Sequence, residues 1–195
     1  MGKFKFNETS IEGVYIIEPT VFGDERGYFM ETYQKEEFKN AGIDQDFVQD
    51  NQSKSTKGVI RGLHFQYTKP QGKLVRVING EVFDVAVDLR PNSPTFGKWE
   101  KVELSEENRY MFFIPEGFAH GFVVLSDEAE LIYKTNTEYS PQHDRGVLWC
   151  DNDINVDWGI ENPILSEKDK VQPTLAELKQ GELLCDCWSQ AAQGS

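Results

Sequence analysis

The chain has 195 residues, enough for one domain with a buried core, and its 38% hydrophobic content is typical of a globular protein. It carries 33 acidic and 20 basic residues, a formal net charge of −13, which disfavours binding to nucleic acid or to an anionic membrane surface. A small anionic ligand is still compatible, because a few cations in one cleft can outweigh a distant acidic surface. No apolar run reaches membrane length and no secretory signal follows the first lysines, so we expect a cytoplasmic protein.

The first predicted elements are a short helix and a strand. QKEEFKNAG, after Tyr33, predicts a helix that ends at Gly42. GVIRGLHFQ, residues 58–66, predicts a strand in which Arg61 and His64 lie three residues apart and would therefore face opposite sides. Gly62 lies between them and predicts a β-bulge that re-aims one of the two side chains.

The next segment predicts closely connected strands. Lys73 begins the strand predicted in QGKLVRV, and a short hairpin with the preceding strand would bring it close to His64. KLVRVI and EVF then meet at Asn79-Gly80, a dipeptide typical of a tight type I′ hairpin. In EVFDVAVDL, from Glu81, apolar residues alternate with Asp or Ala, the pattern of a half-buried strand.

Three further apolar segments, YMFFIPEG, AHGFVVLS and AELIYKTN, follow at intervals of roughly ten residues, each bounded by turn residues. PTLAELKQG contains Thr174 and Glu177 at the spacing of a helix capping box. We therefore predict one all-β domain over residues 1–195, a sandwich or barrel with a few short helices and a helical tail from about 173 to 195.

The histidines and cysteines bear on metal binding. A His-x-His pair, frequent in metal-binding β-barrels, is missing at His64, and a site built with His120 and His143 would use every histidine. Cys185 and Cys187 lack a second pair to complete a metal site. The three cysteines, with Cys150, show no disulfide framework, so we expect reduced thiols and no bound metal.

Four residues could carry chemistry on this β scaffold. His64 offers a base, Arg61 and Lys73 offer positive charge, and Tyr133 in LIYKTNT offers a phenol. A lone strand histidine is more often structural than catalytic, and a strand tyrosine usually packs in the core. Taken alone, these residues indicate proton-transfer chemistry and no particular substrate.

Longer motifs make the sequence recognisable. GDERGYFMET, FVQDNQSKSTKGVIRGLHFQ, PQGKLVRVINGEVFDVAVDLR, SPTFGKW, FIPEGFAHGFVVLS, YKTNTEYSP and LSEKD occur in this order. The chain resembles the dTDP-4-dehydrorhamnose 3,5-epimerases from about Ser10 to Pro173. The resemblance implies a cupin-like jelly roll that forms homodimers and needs neither a metal nor an organic cofactor. It also implies inversion of C3 and C5 of a dTDP-linked 4-keto-6-deoxy sugar, as a step towards dTDP-L-rhamnose.

The resemblance assigns the catalytic roles by matching motifs. His64 in RGLH matches the base, and Asp169 in SEKD matches the carboxylate that pairs with it. Tyr133 matches the proton donor on the opposite face of the sugar, and Lys73 matches the lysine that stabilises the enolate oxygen.

The binding roles follow in the same way. Tyr139 in EYSP matches the tyrosine that stacks on thymine, and Asp144 stands where many members have Glu. In the family, some binding residues come from the neighbouring subunit. The remaining positions that match residues holding nucleotide, diphosphate or sugar are Arg26, Glu31, Gln49, Asn51, Arg61, His120 and Lys168.

Three alternatives stay open at this point. A relative that inverts only C3 or only C5, or acts on another nucleotide sugar, would share the base and the lysine. A catalytically silent sugar-nucleotide-binding module would need neither the base nor the proton donor. A metal-dependent cupin oxygenase would need more metal ligands than the sequence offers. Asp144, and a loop before Lys73 that is one residue shorter than in some members, leave nucleotide and sugar specificity open.

Overall fold

A computed structural model describes residues 2–185 and residue 188. Within this part of the chain, thirteen strands carry most of the regular structure and three helices are short. The strands are β1 (Phe4–Glu8), β2 (Tyr15–Pro19), β3 (Val21–Asp24), β4 (Gly27–Met30), β5 (Gln49–Thr56), β6 (Ile60–Gln66), β7 (Lys73–Asn79), β8 (Glu81–Asp88), β9 (Trp99–Ser105), β10 (Met111–Ile114), β11 (Phe118–Val124), β12 (Glu128–Thr135) and β13 (Asp144–Gly146). The helices are α1 (Lys35–Asn40), α2 (Glu167–Lys170) and α3 (Leu175–Gln180).

The strands form two sheets and a separate hairpin. One sheet has six strands in the order β1-β2-β10-β7-β12-β5, and the other has five in the order β13-β6-β11-β8-β9. All named strand pairs in them are antiparallel. Among the described residues, β3 and β4 pair only with each other. This double-sheet arrangement confirms the predicted all-β, cupin-like jelly roll.

Apolar side chains fill three layers. Between the sheets, Val75, Phe112 and Leu131 belong to a cluster of fully buried residues. The outer face of the six-stranded sheet is covered by α1 through Phe38, and the outer face of the five-stranded sheet is covered by the C-terminal segment through Leu178. Burying each such side chain stabilises the fold by about 1.5–3 kcal/mol. Each sheet therefore has apolar packing against part of both of its faces.

β8 differs from the half-buried strand that its alternation predicts. Val85 and Val87 pack outward beneath the C-terminal segment, while Asp84 and Asp88 face the space between the sheets. Both carboxylates are fully buried. Sequence periodicity missed this because it cannot show that a distant segment covers the second face.

The predicted hairpin at Asn79-Gly80 is wrong. β7 lies in the six-stranded sheet and β8 in the five-stranded sheet, so the dipeptide carries the chain from one sheet to the other. A type I′ turn needs positive φ at both central residues, and only Gly80 has one, at 76°. β6 and β7 also lie in different sheets, so the expected hairpin between His64 and Lys73 is absent as well.

The predicted bulge at Gly62 is confirmed. In the pairing of β6 with β11, His64 opposes His120 and Arg61 opposes Phe122, so two residues of β6 lie opposite one residue of β11. The extra residue turns Arg61 and His64 towards the same side of the sheet. Both side chains therefore face the space between the sheets.

Gly62→Ala should destabilise the fold more than Gly27→Ala. The two glycines have nearly the same left-handed φ, 129° and 127°, but a Cβ at Gly62 would lie 2.5 Å from the Cα of Gly121, whereas one at Gly27 meets nothing within 4 Å. We expect backbone strain of about 1–3 kcal/mol in both variants and a further overpacking penalty of about 1–3 kcal/mol at Gly62 alone. Urea unfolding of both variants measures the difference; equal losses would contradict the close packing at the bulge.

The short helices agree with the sequence. α1 ends just before Gly42, and Thr174 and Glu177 form the capping box of α3. The rest of the predicted helical tail, including Cys187, lies outside the described residues except for Trp188. Cys150 is a free, exposed thiol, but Cys185 is disulfide-bonded, so the expectation of reduced thiols is wrong there. No helix among the described residues is long and apolar enough to cross a membrane.

Candidate active site

A cavity of about 460 Å³ lies between the two sheets, a size suited to a small-molecule ligand. The five-stranded sheet contributes His64 and His120 to its wall, and the six-stranded sheet contributes Lys73 and Tyr133. The other predicted site residues on its wall are Arg61, Tyr139, Asp144, Lys168 and Asp169.

His64 is paired with a buried carboxylate. Its Nε2 lies 2.5 Å from Oδ1 of Asp169, and the Asp169 side chain is only 4% exposed. Ser166 caps α2 by accepting a hydrogen bond from the backbone N–H of Asp169, which places this carboxylate. Burial pushes the pKa of Asp169 up, but the hydrogen bond from His64 and the charge of Lys168 outweigh it and leave this pKa lowered. Asp169 is therefore a carboxylate that holds a proton on Nε2 of His64.

His120 has a carboxylate partner that sequence reasoning missed. Its Nε2 lies 2.9 and 3.0 Å from the two carboxylate oxygens of Asp84, and both side chains are buried. Burial lowers the pKa of His120, and the attraction of Asp84 offsets only part of this effect. The segment AHGFVV did indicate such a partner, because an imidazole inside an apolar strand is buried and needs a hydrogen-bond partner there.

Lys73 is buried close to this pair. Its residue is 8% exposed, and burial lowers the pKa of its ammonium group to about 8, although Asp84 and Asp144 both favour the charged form. The group is therefore mostly protonated at neutral pH and loses its charge as the pH rises past 8. The cavity thus contains a cation whose charge can be titrated.

Tyr133 lies on the opposite wall from His64. Its ring packs against the core between the sheets, and its centroid is 6.4 Å from that of His120. Burial raises the pKa of Tyr133 above its usual value of 10, despite the opposing charge of Arg61. The phenol therefore stays protonated at neutral pH and can donate a proton into the cavity.

Asp144 joins the residues at one end of the cavity. Its Oδ2 accepts a hydrogen bond from the hydroxyl of Tyr139 at 3.1 Å and another from Nζ of Lys168 at 2.5 Å. The backbone N–H of Tyr139 also donates to Oε1 of Gln49, and Nε2 of Gln49 donates to Asn51. Gln49 and Asn51 therefore support the segment of Tyr139 from behind. The ring of Tyr139 is left about half exposed.

The structure does not bring Arg26 and Glu31 to the cavity of their own chain. Arg26 lies at the tip of the β3–β4 hairpin and pairs with Asp24, and Glu31 pairs with Lys3. Arg61, in contrast, is held at the cavity by a 2.9 Å hydrogen bond from its Nε to the Oγ of Ser55.

The described residues contain no cluster of three or more His, Cys, Asp or Glu side chains arranged to hold a metal ion. His64 with Asp169 and His120 with Asp84 form two histidine–carboxylate pairs, and the Lys73 amine and the Tyr133 phenol lie in the same cavity wall. This donor set moves protons.

Comparison with known proteins identifies the family. Residues 8–177 match the family model described as dTDP-4-dehydrorhamnose 3,5-epimerase. The chain belongs to this family. The dTDP-4-dehydrorhamnose 3,5-epimerase of Shigella flexneri is 61% identical over 164 residues, which cover 83% of this chain and 91% of the relative. That of Methanothermobacter thermautotrophicus is 57% identical over 180 residues, 91% and 97% of the two chains. The protein is therefore an enzyme, an epimerase.

Solved structures agree with this assignment. A Legionella pneumophila epimerase in complex with dTDP-4-keto-L-rhamnose is 48% identical, with a TM-score of 0.89 over 93% of this chain and 97% of that chain. A 3′-monoepimerase from Streptomyces bikiniensis in complex with dTDP-quinovose is 34% identical, with a TM-score of 0.88 over 95% and 96%. The fold of the epimerase family is therefore shared by enzymes that differ in how many centres they invert.

Proposed function

We propose that this epimerase inverts C3 and C5 of dTDP-4-dehydro-6-deoxy-D-glucose, giving dTDP-4-dehydro-L-rhamnose. The observation that carries the proposal is the placement of His64 and Tyr133 on opposite walls of one cavity. Inversion needs a base on one face of the sugar and an acid on the other. Both carbons are α to the C4 ketone, so the same pair of groups serves both centres.

Each inversion has two proton transfers. The C–H bond breaks, its proton passes to the free Nδ1 of His64, and its electron pair moves to the C4 oxygen as an enolate. Asp169 hydrogen-bonds Nε2 of the ring and so orients it for this transfer. The Lys73 ammonium stabilises the enolate oxygen, and the enolate then takes a proton on its other face from Tyr133. The imidazolium of His64 then releases its proton to solvent and the tyrosinate takes one from solvent, so both groups are restored before the second inversion and the step involves no net oxidation or reduction.

The nucleotide is held at the other end of the cavity. Tyr139, with its ring exposed, stacks on the thymine, and Asp144 fixes the hydroxyl end of that ring. Arg61 and Lys168 supply positive charge for the diphosphate, and His120 contacts the sugar. These cations give a protein of net charge −13 a local attraction for an anion.

Incubation with dTDP-4-dehydro-6-deoxy-D-glucose in D₂O, followed by NMR of the sugar, tests the reaction. Deuterium at both C3 and C5, with inversion, is the expected result. Label at only one carbon would place the enzyme with the single-centre relatives. No label would contradict the proposal and leave a silent sugar-nucleotide-binding module. Stoichiometric iron or zinc in the purified protein would instead favour a metal-dependent oxygenase.

Tyr133→Phe should separate proton removal from inversion. The variant keeps His64 and Lys73, so the C–H protons can still be removed. We expect deuterium from the solvent to enter the sugar, because His64 returns a deuteron to the same face from which it took the proton. The yield of inverted sugar should fall by about 10²-fold, since the acid on the other face is gone. Deuterium content and product configuration, measured by NMR in the same samples, give both numbers. An unchanged yield would remove Tyr133 from the role of donor.

We also propose that the enzyme is a homodimer in which the β3–β4 hairpin reaches the neighbouring subunit. Phe22, Tyr28 and Phe29 of this hairpin are 53%, 57% and 64% exposed, a concentration of apolar surface that a partner would cover. The same hairpin carries Arg26 and leads to Glu31, neither of which lies at the cavity of its own chain. In a dimer, Arg26 and Glu31 would be available to the cavity of the partner subunit.

The cytoplasmic location remains a prediction from the sequence.

Phe22→Ser/Phe29→Ser should shift the protein from dimer to monomer, because the substitutions remove two apolar rings that the partner subunit would cover. Sedimentation velocity gives the mass of each species. Val171→Ser is the matched control, since this side chain is 79% exposed at the end of α2, outside the hairpin. A double variant that sediments like the wild type would show that the hairpin is not the interface.

A further inference from the structure

The segment that carries Tyr139 connects β12 to β13 and is irregular over residues 136–143. The backbone groups of an irregular segment have no strand or helix partners, so side chains must hold them. Gln49 holds the backbone N–H of Tyr139 itself, at 2.9 Å. The backbone groups on either side of Tyr139 are held by Gln66, to which the sequence motifs assigned no role.

The amide group of Gln66 makes all its hydrogen bonds with the backbone of two loops. Its Oε1 accepts from the N–H of Ser140 at 2.6 Å, and its Nε2 donates to the carbonyls of Glu138 at 3.3 Å and Lys69 at 2.7 Å. Gln66 is only 3% exposed, so these bonds are shielded from water. Glu138 and Ser140 flank Tyr139, so one side chain fixes the backbone on both sides of the stacking ring.

The strand pair that contains Gln66 also holds the hydroxyl end of this ring. Gln66 on β6 opposes Asp144 on β13, and the carboxylate of Asp144 accepts from the hydroxyl of Tyr139 at 3.1 Å. His64 lies two residues before Gln66 on β6, and both residues line the cavity. About 7 Å of strand therefore separates the residue that places the stacking ring from the catalytic base.

We infer that Gln66 is a positioning residue that holds Tyr139 in the orientation in which its ring stacks on the thymine. This inference rests on the proposed function, because it takes the ligand to be a dTDP-linked sugar. The polar atoms of Gln66 are already bonded to the protein, so it acts through Tyr139 and not on the ligand. It orders the segment in the free enzyme, so nucleotide binding does not have to supply that order.

A double-mutant cycle on dTDP binding, measured by calorimetric titration, tests the inference. We expect Tyr139→Ala to lower the affinity for dTDP about tenfold, the scale of one aromatic stack on a base, and Gln66→Met to lower it to a similar extent. Methionine has the length of glutamine but offers neither its donor nor its acceptor. In the Tyr139→Ala background, Gln66→Met should change the affinity by less than about twofold, because the ring through which Gln66 acts is already gone.

Gln66→Glu provides the same cycle if Gln66→Met does not fold. Glutamate keeps the acceptor for the N–H of Ser140 and loses the donor to Glu138. Its charge repels dTDP equally in both backgrounds, so this effect cancels in the cycle and the coupling to Tyr139 remains. With the keto sugar, either Gln66 variant should raise KM about tenfold and keep kcat within about threefold, because the catalytic groups are unchanged.

Asn108→Leu is the matched control. The amide of Asn108 also holds a loop backbone, accepting from the N–H groups of Ser105 and Tyr110 and donating to the carbonyl of Glu103, but it lies outside the cavity. This variant should lose thermal stability, as Gln66→Met does, and should bind dTDP like the wild type. An equal loss of dTDP affinity in Asn108→Leu would overturn the inference, because general destabilisation would then explain the effect.

The inference is also overturned if Gln66→Met binds dTDP like the wild type, or weakens binding equally with and without the ring of Tyr139. Wild-type affinity in Tyr139→Ala would refute both the stacking role and the inference. A loss that depends on Tyr139, in an enzyme that leaves the keto sugar unlabelled in D₂O, would support the role of Gln66 and refute the proposed reaction.

Discussion

His64→Asn should lower kcat/KM by about 10²–10⁴-fold, the usual contribution of a positioned general base. Asparagine is close in size to histidine and can still donate to the carboxylate of Asp169, but it cannot take a proton from carbon. Without that proton transfer no enolate forms, so deuterium exchange at C3 and at C5 should fall together. Steady-state rates and the isotope content of the sugar measure the two effects.

His143→Asn is the matched control. His143 bonds Oγ1 of Thr68 in a turn outside the cavity, so the same substitution there should keep full activity. Binding of dTDP to His64→Asn by calorimetry should match the wild type, which shows that the cavity is intact. If His64→Asn turned over normally, or lost exchange at only one carbon, a single base serving both centres would be excluded.

Lys73→Met should lower kcat by about 10²–10³-fold, because one aligned charge at a developing oxyanion contributes on this scale. The wild type should also lose activity on the alkaline side around pH 8. The pKa of Lys73 is lowered to about 8 by burial, so the ammonium is present below that pH and is lost as the pH rises through it. The pKa of Tyr133 is raised by burial, so this phenol does not titrate in the same range.

The pH profile of kcat distinguishes this charge from a structural role. The residual kcat of Lys73→Met should not fall as the pH rises through 8. Lys101→Met should show the same pH profile as the wild type. Lys101 lies on β9 and contacts Asp157, outside the cavity. An alkaline limb that persists unchanged in Lys73→Met would mean that another group titrates there.

Much of the local structure could be predicted from the sequence because its causes are local. The capping box of α3 depends on Thr174 and Glu177, three residues apart, and the bulge in β6 depends on a glycine between Arg61 and His64. The strands carry enough apolar residues to be recognised without their partners. The motifs also led to His64 and Asp169, which the structure brings within hydrogen-bonding distance.

The features that were missed depend on contacts between distant segments. Asn79-Gly80 has the composition of a hairpin, but Glu128 and its neighbours pack against the turn and the two strands enter different sheets. Asp84 seemed to lie on a solvent face, because nothing in EVFDVAVDL shows that both faces of β8 are covered. Its pairing with His120 joins positions 36 residues apart. Local patterns carry no information about such pairings.

The separation between the base and its carboxylate has a consequence for synthesis of the protein. His64 and Asp169 are 105 residues apart, and Asp169 comes after the last strand of the sandwich. A nascent chain that ends before α2 already contains both sheets and both walls of the cavity, but its base lacks the partner that orients it. We therefore expect catalytic competence to arrive late in translation, after the jelly roll can have formed and only when the segment that carries Asp169 has docked.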